Sequence, residues 1–155
     1  MKTLTYLILM ALLLCTGHAM AQDAPGTIDH SIFDAVLKRS VMGDKVNYQA
    51  IKGNPGFPRY VEAVGNADLS QLKGRKAQLA FYINAYNALT INQVLSVPGL
   101  RSVMKVPDFF KKRIHKLAGK MVSLDDIENK IIRPTFNEPR IHAALNCASI
   151  SCPPL

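Results

Sequence analysis

The sequence has few acidic residues, only three cysteines, and no hydrophobic run beyond its N-terminus that approaches the length of a membrane span. It also lacks a glycine-rich phosphate loop, a serine-nucleophile elbow and a dinucleotide fingerprint, which argues against nucleotide-dependent enzymes and serine hydrolases. No internal repeat or low-complexity tract is present. What remains is a chain of single-domain size, whose chemistry must rest on a small number of polar side chains.

The N-terminus has the pattern of a signal peptide. Lys2 precedes an apolar run from Leu4 to Leu14, and Ala19-Met20-Ala21 forms an Ala-x-Ala cleavage site. Eleven residues at about 1.5 Å each fall short of a hydrocarbon core of roughly 30 Å, so cleavage is favoured over a retained membrane helix. We therefore expect a signal peptide over residues 1–21, an N-terminal helix region over 22–45 and the main domain over 46–155.

The excess of basic over acidic residues indicates what kind of partner the protein is expected to bind. Removing Lys2 from the 19 basic residues leaves 18 against 11 acidic ones, a formal charge of +7 for the mature chain. In a protein expected to be periplasmic or extracellular, nucleic acid is not an expected partner, whereas anionic envelope components are. The segment 105–120 has six Lys or Arg residues and a histidine around Phe109-Phe110, and it predicts such an attachment site. An exposed basic hairpin with one aromatic anchor is the alternative.

The apolar spacing predicts a helix-rich α+β single domain with a small β-hairpin. Apolar residues lie nearly all round a helix from about Lys76 to Val97, which is typical of a buried central helix. The hairpin is expected over 111–117 and 120–123, around Ala118-Gly119. Asp29 is expected to cap a first helix that continues to Val41 and ends at Gly43-Asp44. Further along, Val46-Asn47-Tyr48 reads as extended, residues 53–58 as a loop and 59–64 as a short helix.

Two helix starts are expected in the C-terminal third. Ser123-Leu-Asp-Asp126 resembles a capping box with Asp in place of Glu, and Pro134 is expected just past the end of that helix. Pro139 suits the first turn of a last helix that runs through Leu145 into the cysteine motif.

Cys147 and Cys152 are the two cysteines that remain after signal cleavage. A disulfide between them requires a turn through residues 148–151, because five residues of continuous helix rise about 7.5 Å. Alternatively, Cys152 lies at a helix N-cap before Pro153, where the helix dipole favours a thiolate nucleophile. His142 is then the nearest candidate base and His115 the second. Inert packing is the third alternative, and no metal or cofactor is expected, because Cys147, Cys152 and His142 lack a fourth ligand.

Asn84 and Asn87 fall on the same arc of the central helix as Ile91, Val94 and Leu95. Amides on an apolar arc cost about 1–3 kcal/mol each if they are left without hydrogen bonds. Either they hold loop backbone, or one of them orients a histidine or a ligand, as in Cys–His–Asn hydrolases. Asn84, Asn87 and Arg140 are therefore the candidate binding residues.

Three ordered motifs resemble the bacterial and plant family called domain of unknown function 547. They are Phe81-Tyr-Ile-Asn-Ala-Tyr-Asn-Ala-Leu89, Ser123-Leu-Asp-Asp-Ile-Glu128 and the run from Pro139 to Leu155. The resemblance covers roughly Val46 to the end and implies a domain often exported in bacteria, with no established activity. The family domain normally continues past Ser-Cys-Pro-Pro-Leu, so a fragment is expected. The leading hypothesis is a cysteine-dependent hydrolase-like, transferase-like or redox function, and the alternative is a non-catalytic envelope-binding domain.

Overall fold

The computed structural model describes residues 28–149, 152 and 155, so the expected signal peptide, its cleavage site and Cys15 lie outside the described residues. Its helices and strands, in chain order, are α1 His30–Ser40, β1 Val41–Met42, β2 Lys45–Val46, α2 Tyr48–Lys52, α3 Gly56–Gly65, α4 Arg75–Leu95, β3 Ile114–Leu117, β4 Lys120–Ser123 and α5 Arg133–Phe136. Short 3₁₀ turns cover Leu69–Gln71, Val103–Lys105 and Pro139–Ala143, and a π-helix covers Asp126–Ile132. The prediction of a helix-rich α+β fold is confirmed.

Helix α1 begins as predicted. The Asp29 side chain accepts the Ser31 amide at 2.8 Å and caps the first turn, and Phe33 and Val36 are buried. The prediction that Val41 belongs to this helix and that Gly43-Asp44 simply ends it is wrong. Val41 is the first residue of β1, and Gly43, with φ of +62°, makes the turn into β2. Strands of two residues are too short to show an alternating pattern, which is why this second hairpin was not predicted.

The two predictions that follow also need correction. Tyr48 is not extended but begins α2, because the Asn47 side chain accepts the Ala50 amide at 3.0 Å and caps that helix. The predicted loop over 53–58 is shorter than expected, since α3 already begins at Gly56. Pro58 lies in its first turn, where a missing backbone N–H costs nothing.

Helix α4 is the centre of the domain, as predicted. Nine of its residues are buried, on several sides of the helix: Phe81, Ala85, Tyr86, Asn87, Ala88, Leu89, Thr90, Ile91 and Gln93. Elements α2, α3 and the π-helix all pack against it. Because so much of its surface is buried, α4 holds its side chains in fixed positions, and segments that bond to them are fixed as well.

The predicted hairpin is confirmed as β3 paired antiparallel with β4. Ala118 and Gly119 both have positive φ, at 47° and 79°, which suits the tight turn between the strands. Their amides donate to the Val64 and Gly65 carbonyls at 3.0 and 2.8 Å. The hairpin is therefore fixed to the last turn of α3.

The capping box after β4 is present. Asp126 Oδ2 accepts the Ser123 amide at 3.0 Å, and Ser123 Oγ accepts the Asp126 amide at 3.0 Å. The placement of Pro134 beyond the helix is wrong: the π-helix passes directly into α5, and Pro134 lies in the first turn of α5. The left-handed residue Asn137, with φ of 40°, ends α5 instead.

The last predicted helix is also shorter than expected. After the 3₁₀ turn Pro139–Ala143, the Ala144 amide donates to the Ile141 carbonyl at 2.9 Å and the helix goes no further. Leu145, Asn146 and Cys147 have no helical assignment. The described part of the cysteine motif is therefore a loop and does not continue the helix, contrary to the expected helix that runs into this motif.

Candidate functional site

The cysteine loop, described at residues 144–149 and 152, follows the 3₁₀ turn. Cys147 and Cys152 are joined in a disulfide with their Cα atoms 6.0 Å apart, inside the usual range of about 4.4–6.8 Å. The chain turns at Ala148, whose φ is 56°, and the Cys152 amide donates to the Ser149 carbonyl at 3.0 Å. The turn that a bridge was expected to require is thus present in the described part of the loop.

A backbone donor lies beside one of the two sulfurs. The Cys147 amide donates to Cys152 Sγ at 3.1 Å. An N–H directed at a sulfur favours negative charge on it, so this donor is placed to favour a thiolate at Cys152 once the bridge is opened. The helix start that was expected to do this, at Pro153, lies outside the described residues, and the donor found here comes from the loop itself.

Asn87 on α4 holds the cysteine loop by two hydrogen bonds. Its Nδ2 donates to the Ala144 carbonyl at 3.0 Å, and its Oδ1 accepts the Asn146 amide at 2.8 Å. Asn146 Oδ1 in turn accepts the Ala148 amide at 2.8 Å. Asn87 therefore holds loop backbone, the first of the two expected alternatives, and the loop that it holds is the one with the cysteines. Asn84, one turn earlier, is half-buried and has no side-chain hydrogen bond within the described part of the chain.

Cys147 lines a cleft of about 250 Å³ together with residues from three other segments: Tyr86, Phe110, Lys111, Asp125 and Glu128. The Asp125 amide donates to the Phe110 carbonyl at 3.0 Å and joins two of the walls. Burial, and then the Glu128 carboxylate, raise the pKa of the Tyr86 phenol well above its ordinary value. Tyr86 is therefore a hydroxyl donor at any physiological pH.

Glu128 has a partner outside the cleft lining, because Arg133 Nη2 lies 2.5 Å from its Oε1. Asp125 accepts a hydrogen bond from Asn129 Nδ2 at 3.1 Å. The cleft beside Cys147 thus combines two carboxylates, one phenol, one lysine and a half-buried sulfur.

His142 and Arg140 are not drawn into this arrangement. His142 is exposed on the 3₁₀ turn, and the described residues show no hydrogen bond between it and either cysteine. Arg140 is exposed and pairs with Glu138 at 2.7 Å, which lowers the pKa of that carboxyl to about 2. Arg140 also lines a separate cleft of about 290 Å³ with Leu79 and Ile83.

His115, the second candidate base, contacts α4 instead. Its Nε2 lies 2.6 Å from Gln93 Oε1, and Gln93 Nε2 donates to the Phe109 carbonyl. Since Gln93 uses its nitrogen on Phe109, its oxygen accepts, and the His115 Nε2 must hold a proton. Burial, and then the nearby Arg113, lower the pKa of His115. These contacts fasten the segment before the hairpin to the central helix.

Sequence reasoning missed Tyr86 and did not associate the carboxylates of Asp125 and Glu128 with the cysteine motif. The available signal was the run of polar groups, Tyr86, Asn87, Thr90 and Gln93, on a helix that is otherwise apolar nearly all round. Periodicity identifies such positions as buried polar groups but does not tell which distant segment they meet.

The described residues contain no group of three or more His, Cys, Asp or Glu side chains placed to hold a metal ion. Within the same part of the chain, no helix combines the length and apolar character needed to cross a bilayer.

Comparison with known families gives one match. The family described as "Protein of unknown function, DUF547" matches residues 69–155, more than half of the chain. No curated protein and no solved structure matches this chain. The matched region contains α4, the cleft and the cysteine loop.

Proposed function

The chain belongs to the DUF547 family, and because that family's function is unknown, we propose from the geometry of this site that Cys147 and Cys152 form a thiol–disulfide exchange pair in an exported protein. The carrying observation is the Cys147 amide that donates to Cys152 Sγ at 3.1 Å. The disulfide, the cleft beside Cys147 and the absence of a described His142 contact favour exchange over hydrolysis. The N-terminal signal pattern supports export, where disulfides form and persist.

The two sulfurs have different roles. A thiolate from an external thiol in the cleft attacks Cys147 Sγ, the sulfur that lines it. The Cys147–Cys152 bond breaks, and its electron pair leaves on Cys152 Sγ, where the Cys147 amide stabilises the thiolate. A second external thiolate then attacks the external sulfur of the mixed disulfide, the bond to Cys147 breaks, and Cys147 leaves as a thiolate that takes up a proton. The external pair loses two electrons and two protons to become a disulfide, and the cysteines gain both as a dithiol.

The charges around the two sulfurs indicate which cysteine is the thiolate after the disulfide is reduced. Asp125 and Glu128 offset the positive charge of Lys111 in the cleft next to Cys147, so the cleft lining offers no net positive charge to a Cys147 thiolate. The Cys147 amide beside Cys152 Sγ favours negative charge on that sulfur instead. Cys152 is therefore the thiolate of the reduced pair, and it closes the disulfide again by attack on a mixed disulfide at Cys147.

Single-cysteine variants test this assignment. Cys147→Ser keeps residue 147's backbone amide, so Cys152 is expected to react with iodoacetamide with a pKa below the ordinary value of about 8.5 and below that of Cys147 in Cys152→Ser. In the unmodified chain, equilibration with reduced and oxidised glutathione is expected to give measurable amounts of both states. A reduction potential below about −300 mV would mark a structural disulfide and contradict the proposal.

The same variants separate exchange from hydrolysis. Exchange needs both sulfurs, so either Cys→Ser variant abolishes turnover of a fluorescent disulfide substrate and accumulates a mixed disulfide. A Cys152 hydrolase would remain active in Cys147→Ser and would lose activity in His142→Ala. Exchange unchanged in His142→Ala supports our proposal, whereas hydrolysis that persists in Cys147→Ser and is lost in His142→Ala would contradict it.

A further inference from the structure

The outward face of the β3–β4 hairpin combines exposed apolar and basic side chains. Lys116 and Met121 are directly paired across the strands, and Ile114 lies two residues from Lys116, so all three share one face. Ile114 is 60% exposed and Met121 59%. The opposite face holds the buried Leu117, with the exposed Lys120 paired to it at the turn, and the first face itself becomes buried at Ser123, the partner of Ile114. Two large hydrophobic side chains, Ile114 and Met121, therefore face solvent on this hairpin.

Positive charge surrounds this face. Lys111, Lys112 and Arg113 lead directly into β3, Lys120 begins β4, and all four are exposed. Lys112 is partly offset by Asp108 at 2.6 Å, and Lys116 donates to Asn66 at 2.6 Å. Apart from Asp108, residues 105–121 contain no acidic side chain. The hairpin thus presents an apolar centre within a cationic border.

We propose that this face docks on the surface of an anionic lipid bilayer. Cationic border residues suit the headgroup charge, and side chains such as Ile114 and Met121 gain from insertion at the boundary between headgroups and acyl chains. A hydrophilic polyanion would use the cations but not the apolar pair, which is why the observations favour lipid. The hairpin is held rigid by its bonds to Val64 and Gly65, so it docks without prior ordering. Lys111 also lines the cleft beside Cys147, which brings docking surface and disulfide side by side.

The experiment uses the absence of tryptophan from the chain. Met121→Trp introduces a single reporter on the proposed face, and Met42→Trp introduces one on the β1–β2 hairpin, where Met42 is 71% exposed and paired with Lys45. Each is titrated with phosphatidylglycerol vesicles and with phosphatidylcholine vesicles at low and high salt. A blue shift at residue 121 only, with anionic vesicles only and at low salt, is the expected result.

Co-sedimentation of the full chain then measures affinity. Ile114→Ser with Met121→Ser is expected to weaken binding about tenfold. Arg113→Gln with Lys120→Gln is expected to weaken it about 25-fold at low salt, or about fivefold per cation. The matched control, Met42→Ser with Lys45→Gln, leaves binding unchanged. Every variant keeps the same N-terminal segment, so differences between them report on the hairpin.

Three results would overturn the proposal. One is no binding to anionic vesicles at low salt, and another is a control variant that weakens binding as much as the hairpin variants. The third is a serine pair without effect while soluble polyphosphate competes fully, which would assign the surface to a hydrophilic polyanion instead.

Discussion

Asn87 and Asn146 are joined by a 2.8 Å hydrogen bond from the Asn146 amide to the Asn87 side-chain oxygen, across 59 residues of sequence. Asn87 is 8% exposed and belongs to the most buried helix of the domain, whereas Asn146 immediately precedes Cys147. The position of the disulfide therefore depends on a buried amide in a helix that contributes no sulfur. In the proposed exchange mechanism Asn87 is a positioning residue, because it fixes the backbone on which the Cys147 amide lies.

Asn87→Ala is expected to lower the free energy of unfolding by about 2–3 kcal/mol. The change removes both hydrogen bonds that the Asn87 side chain makes to the Ala144 carbonyl and the Asn146 amide in a half-buried region. Urea denaturation measures the loss. Alkylation of the reduced variant provides a second readout, since a displaced Cys147 amide raises the pKa of Cys152.

Asn84→Ala is the matched control, because Asn84 lies one turn earlier on α4 and has no side-chain hydrogen bond within the described residues. It is expected to cost well under 1 kcal/mol. Equal losses in the two variants would show that helix propensity or packing, rather than the bonds to the loop, explains the effect of Asn87.

Reduction of the disulfide is expected to lower the free energy of unfolding by about 2 kcal/mol, the chain-entropy value for so short a loop. The bridge joins residues only five apart, so the unfolded chain gains little freedom when it breaks. Denaturation with and without dithiothreitol measures the difference. Cys147→Ser with Cys152→Ser should resemble the reduced protein and show no response to reductant; a response would come from elsewhere in the chain.

The parts of the fold that were predicted correctly are those with local causes. The α4 boundaries follow from apolar spacing, the β3–β4 turn from Ala118-Gly119, and the capping box from Ser123 and Asp126. Each is decided by residues within one element or within four positions of each other. The errors at Val41, Tyr48 and Pro134 concern element ends, where a turn or a change from π to α geometry competes with the pattern.

The candidate site was predicted less well, because its contacts are not local. The sequence indicated that Asn87 needs partners and that a disulfide needs a turn after Cys147. It did not indicate that these two requirements are met by the same loop. Nor could it bring Tyr86, Phe110 and Glu128 to one cleft, since that depends on how three segments pack around α4.

Ser123→Ala is expected to lower the free energy of unfolding by about 1 kcal/mol, the usual cost of a lost helix cap. Ser123 Oγ both accepts the Asp126 amide and donates to Asp126 Oδ2 at 2.7 Å. Thermal or urea unfolding measures the loss. Ser123→Thr, which keeps the hydroxyl, is the control, and a loss as large as that of alanine would indicate packing at this buried site instead.

The capping box also predicts an acid-dependent loss. Lys130, followed by the Ser123 backbone and hydroxyl, holds the pKa of Asp126 well below its ordinary value. Its contribution to stability is present above the unfolded-state pKa, near 3.8, and disappears as the pH falls through the lower folded-state pKa. Asp126→Asn should therefore unfold with a shallower dependence on pH below about 4. A slope identical to that of the unmodified chain would contradict this.

His115 and His30 are expected to cause a second loss of stability, at a milder pH than that of Asp126. Burial lowers the folded-state pKa of both His115 and His30, with Arg113 adding to the effect at His115 and Asp29 opposing it at His30. Well above pH 6.5 both histidines are neutral in the folded and in the unfolded chain, and they do not lower the free energy of unfolding. As the pH falls through that value, the unfolded chain binds protons first, so the free energy of unfolding decreases until the folded-state pKa is reached.

Urea unfolding between pH 7.5 and 5 measures this loss, in a window above that of the carboxylates. His115→Gln can still donate to Gln93 and is expected to remove part of the slope, and His30→Gln, beside the Tyr60 hydroxyl at 2.7 Å, removes another part. The double variant should be nearly independent of pH across the window. If it keeps the original slope, protonation of these two half-buried imidazoles is not what destabilises the domain in mild acid, and the contact between His115 and Gln93 tolerates the charged ring.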